Sequence, residues 1–123
     1  MTALTAAAAT LAAFNLTCTV TLESMAGEFP KKPETAFNPA FRIDLAARRF
    51  CQGACSETAP IAEITDTKLT LIRAKTGRLW QLIEINRESG AYLSQIQVGD
   101  GQPSTFYGTC EPSAFTGFPV KRF

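Results

Sequence analysis

Histidine is absent from the 123 residues, and that absence excludes more chemistry than any residue present supplies. Without imidazole there is no Ser-His-Asp or Cys-His nucleophile and no ordinary proton shuttle near neutral pH. Most zinc and copper sites are removed as well. An excess of one charge is also lacking, with 12 Lys and Arg against 11 Asp and Glu. A nucleic-acid binder displaces counterions with a basic excess. Nucleic acid is therefore not an expected partner, and Lys31-Lys32 and Arg48-Arg49 read as solvated loop positions. There is no uncharged apolar run of the roughly 20 residues that a transmembrane helix needs. After Ala13 no segment sustains a helical period, which removes βαβ units and with them a parallel sheet. No glycine-rich phosphate loop precedes a helix either, so Gly99-Asp100-Gly101 reads as a hairpin connection.

What is present points to one domain with a real core. Hydrophobic residues make up 46% of the chain and charged residues 19%, and nine phenylalanines supply large core pieces, a balance unlike that of disordered chains. Residues 1–13 differ from the rest: uncharged, free of Gly and Pro, and ending in small residues before Phe14. They read as a secretory-signal-like segment, cleaved after Ala12 or Ala13, or else as an Ala-rich helix. Residues 14–123 form the single domain.

The four cysteines, Cys18, Cys51, Cys55 and Cys110, allow three pairings. In Phe14–Leu22 the apolar residues take every second place and Cys18 shares their face; Phe106, Gly108 and Cys110 share a face near the other end. Both cysteines therefore point inward. Cys51 and Cys55 flank Gln52-Gly53-Ala54, a turn able to bring two Cα atoms within disulfide reach. The preferred pairing is Cys18–Cys110 with Cys51–Cys55, worth about 4–5 and about 2 kcal/mol on chain entropy. A zinc site wants two close pairs of ligands and a redox dithiol wants two intervening residues, and neither pattern occurs. Disulfides place the protein in an oxidising compartment, periplasmic or secreted.

Alternation and turn residues then lay out the strands. They fall at Phe14–Glu23, Ala40–Leu45, Arg49–Cys51, Ile61–Ile64, Lys68–Ala74, Leu79–Asn86, Ala91–Val98 and Thr105–Cys110. About eight short antiparallel strands predict an all-β, up-and-down barrel, with a two-sheet sandwich as the alternative. Between the first two strands lies a Gly- and Pro-broken loop of roughly 15 residues, a length that often marks function.

Candidate binding residues lie in segments that mix aromatics with Pro and Gly. Phe29 and Phe37 belong to the 24–39 loop, and Phe115, Phe118 and Phe123 to the tail from Pro112. Trp80 sits on a strand that is apolar on both faces, which is either covered by the tail or open to a partner. The plainer reading is that these aromatics cap the barrel ends. Asn15-Leu16-Thr17 matches the N-glycosylation triplet, but inside a strand. No catalytic residue, metal or cofactor is expected, and the sequence sets no oligomeric state. The expected function is a non-enzymatic exported binding or inhibitor-like domain that recognises a protein or cell-envelope component. The alternatives are a lipocalin-type carrier of a small apolar ligand and a structural accessory subunit of an envelope complex. An enzyme working through two carboxylates ranks last.

Overall fold

A computed structural model describes residues 12–25 and 28–120. Residues 1–11, which hold nearly all of the signal-like segment, and Phe123 of the tail lie outside the described residues. Among the described residues every element is a strand: β1 Ala13–Met25, β2 Ala40–Asp44, β3 Arg49–Gln52, β4 Ala59–Pro60, β5 Glu63–Ile64, β6 Lys68–Thr76, β7 Leu79–Asn86, β8 Ala91–Val98 and β9 Ser104–Ser113.

All pairings are antiparallel, and the spatial order is β4-β3-β2-β1-β9-β8-β7-β6-β5. Apart from β4 and β5, each strand neighbours the next in sequence, and the first pairs with the last. This is the up-and-down arrangement expected from the hairpin signals, curled into a half-barrel. The inward alternation is continuous around the curve: Leu16, Cys18 and Val20, then Phe41 and Ile43, Phe50, Leu69 and Leu71, Ile83 and Ile85, Tyr92 and Cys110 form one buried cluster.

Both disulfides have the expected pairing. Cys18 lies directly opposite Cys110 in the β1–β9 register, and both are buried. Cys51 and Cys55 close a turn with their Cα atoms 4.9 Å apart.

The structure adds a ninth strand at Ala59–Pro60 and shortens the strand expected at Ile61–Ile64 to Glu63–Ile64, with Ile61-Ala62 between the two. The reason is the curl itself. β4 pairs with β3 and β5 pairs with β6, so this segment passes from one edge of the sheet to the other. The Ile61 N–H donates to the Arg48 carbonyl on one side, and the Ala62 N–H to the Leu71 carbonyl on the other. The seam between β3 and β6 is thus bridged at one end of the half-barrel. Beyond Ala62 no strand among the described residues joins the two edges, and the seam opens.

Candidate functional site

The open end is where the hairpin tips gather: Thr76–Leu79, Val98–Ser104, the loop before β2 and the turn after β3. Inward-facing residues line a cavity of about 330 Å³ there, with Ile83 and Tyr92 shared between it and the buried cluster. Register explains which ones. Ile83 opposes Ser94, Ser94 opposes Phe106, and Gln81 opposes Ile96, so these residues form adjacent rows on the concave face. Tyr92 forms the floor, and Phe37, Asn38, Pro39 and Gln52 form the wall across from them.

The far wall is held by backbone. The Cys18 N–H donates to the Pro39 carbonyl at 2.8 Å and the Val20 N–H to the Phe37 carbonyl at 3.4 Å. Further along, Glu23 and Lys31 exchange two backbone hydrogen bonds of 2.7 and 2.8 Å. The long loop therefore continues the sheet along the edge of β1 that β2 leaves free. Phe37 packs edge-to-face on Phe106, with ring centroids 5.4 Å apart, which fixes the aromatic rim.

Among the described residues no Lys, Arg, Asp or Glu lines the cavity. Its polar groups are amides and hydroxyls, of which Ser94 is buried. Burial pushes the Tyr92 phenol above its ordinary value of 10.0, with the Ser94 hydroxyl opposing the shift in part. The phenol is thus neutral at physiological pH. Apolar surface continues outward from the cavity, where Leu79 pairs with Val98 beside Ile96. All three are exposed, Val98 at 61%. A neutral concavity with an apolar rim suits an uncharged, apolar group carrying one or two hydrogen-bonding atoms.

The residues singled out from sequence fall in four places. Phe37 is on the cavity wall. Phe29, 94% exposed, projects from the same loop into solvent and caps nothing. Trp80 is half-buried on the outer face of β7, its indole N–H donating to the Gln95 amide oxygen at 3.4 Å, with Gln95 in turn donating to Thr105. Phe115 and Phe118 pack edge-to-face at 5.3 Å within the tail. That tail lies over the outer face of β1 and β2, where the Asn15 side-chain amide both donates to and accepts from Thr116 and Arg42 donates to the Gly117 carbonyl. The tail's contacts are thus on β1 and β2, away from Trp80 on β7. From sequence, Ser94 and Ile96 are strand residues without a site role, and Tyr92 and Phe106 are inward aromatics. Their shared signal is inward alternation, which does not distinguish a filled core from a lined cavity.

No known protein-family pattern, characterised protein or solved structure matches the chain.

Proposed function

We propose that this chain is a non-enzymatic binding domain, exported to the periplasm or beyond, that grips an apolar portion of a protein or cell-envelope component at the open end of its half-barrel. The observation that supports this reading is the uncharged cavity of about 330 Å³ running without interruption onto the exposed rim of Ile96, Val98 and Leu79. Interfaces commonly combine an apolar, charge-depleted centre with a polar margin, and contiguous exposed apolar surface is otherwise disfavoured. Two disulfides and a core of alternating strands supply a rigid support, so little ordering entropy opposes binding.

A carrier of a small neutral ligand is the second reading, favoured by the same absence of charge. Volume weighs against it, because the cavity lies at the bottom of the usual range of about 300–1,000 Å³. The open seam would also leave a small ligand less enclosed than such sites normally do.

The test is retention of components of the native envelope extract on the immobilised chain. Ile96→Asp places a charge on the rim without disturbing the buried cluster, and is expected to cut retention about tenfold, the effect of roughly 1.4 kcal/mol. Trp80→Ala, on the opposite face, is expected to leave retention unchanged. Retention equal in wild type and Ile96→Asp would sink the proposal. A stoichiometric small-molecule adduct in native mass spectrometry, lost in Ile96→Asp, would replace it with the carrier.

A further inference from the structure

We infer that the free edge of β6, Ile72–Thr76, receives an extended segment of the partner as an added strand; this rests on the binding reading above and specifies how the partner is held. β7 pairs with the whole length of β6. On its other side, among the described residues, β6 meets Thr65 at Lys68, β5 through Leu69 and Thr70, and the Ala62 N–H that reaches the Leu71 carbonyl. From Ile72 onward no strand among the described residues lies against that edge. Such an edge presents unpaired N–H and C=O groups, the template on which extended peptides add.

Two features define the occupant. On the inner face, Ala74 opposes Gln81, which lines the cavity. Its small side chain leaves room, so an inward residue of an added strand would enter the apolar concavity. On the outer face stand Arg73 and Lys75, both exposed. Arg73 is tied to Glu63 at 2.9 Å, while no carboxylate among the described residues pairs with Lys75. A second copy adding its own β6 would bring these cations against each other, which like charges directly across a ladder oppose. The occupant that fits is an extended segment with apolar residues inward and acidic residues outward in alternation. Lys75 then pairs with it while also guarding the edge against self-association.

The probe is an acetylated peptide of alternating valine and glutamate, about eight residues long so that it spans the free edge at the usual strand rise. Amide shifts of the intact protein are expected to change at Ile72–Thr76 and Gln81. Alternate N–H groups of a strand share one edge, so N-methylating one alternate set is expected to weaken binding about tenfold, and the other set to leave it unchanged. Lys75→Glu should weaken it about fivefold. Several outcomes overturn the inference: no binding, equal binding of both N-methylated forms, equal binding of a peptide with valines and glutamates in separate blocks, or dimerisation of the free protein through β6. If retention falls in Ile96→Asp but the peptide never reaches β6, this inference fails and the binding reading stands. If the peptide adds to β6 while retention ignores Ile96→Asp, the binding reading fails instead.

Discussion

Tyr92 stands on β8 between the buried cluster and the cavity, where it packs near Phe41 and has little access to water. Desolvation disfavours the phenolate, so its folded pKa lies above the unfolded value of 10.0. The neutral phenol's contribution to stability is therefore complete below pH 10 and is lost as pH climbs through the raised folded value. In Tyr107→Phe, which leaves Tyr92 as the single tyrosine, ultraviolet titration is expected to show the phenol ionising above pH 10 and the unfolding midpoint falling over the same interval. A titration centred at or below 10 would contradict the burial described. At the same scale the sequence is an incomplete guide to backbone. The Ala46-Ala47-Arg48 turn is legible from composition, and Asp44 supports it by accepting the Ala47 N–H. Nothing local announces that Arg48 and Cys55 take positive φ, 57° and 55°, a region that normally favours Gly or Asn. The tight connections they serve impose it: the strand return at Arg48 and the disulfide turn at Cys55.

At the scale of elements, the β1–β9 pair is the joint on which the half-barrel closes. Its register shifts between Val20 and Leu22, a bulge that bends a long strand and re-aims the residues beyond it. Gly108 faces that irregularity. A Cβ there would run into the Thr19 carbonyl oxygen and come within 2.9 Å of the Val20 Cα, and these are backbone atoms of the paired strand β1, not a side chain that could swing aside. Gly108→Ala is expected to cost about 3 kcal/mol in urea unfolding, at the upper end of overpacking effects. Gly53→Ala is the contrast, since its added methyl meets nothing within 4 Å and its cost comes from positive φ alone, about 1 kcal/mol. Equal losses at the two sites would show that the close approach is not real. Sequence alternation placed Gly108 on the inward face beside Cys110 but gave no hint of the bulge. Bulges arise from the mismatch between two particular strands, and neither strand carries that information alone.

For the whole molecule the two disulfides are unequal. Cys18–Cys110 spans 92 positions and Cys51–Cys55 spans 4, so the first removes far more freedom from the unfolded chain. Replacing Cys18 and Cys110 together by Ala is expected to cost about 4–5 kcal/mol, and replacing Cys51 and Cys55 about 2 kcal/mol. Denaturant midpoints of the two double variants measure the difference, and a reversed order would remove the long bridge from its role as the clasp between first and last strands. The same bridge bears on the cavity, because β1 holds the loop of its far wall and β9 carries Phe106. A chain lacking it is expected to lose the fixed spacing of Phe37 and Phe106 before it loses its strands.

The strand content, the antiparallel meander, the inward faces and both cysteine pairings followed from the sequence, because each is written in local signals: period-two alternation, turn residues and chain spacing. Tertiary structure decided the rest. Alternation assigns each residue to a face but sets neither how tightly a sheet curls nor where its edges meet, since those depend on bulges, on twist summed over strands and on packing between distant residues. Ile61-Ala62 bridging the seam at one end, and the seam opening at the other, exist only in the assembled half-barrel. That asymmetry turned Ser94, Ile96 and Phe106, indistinguishable in sequence from core positions, into the lining of a cavity.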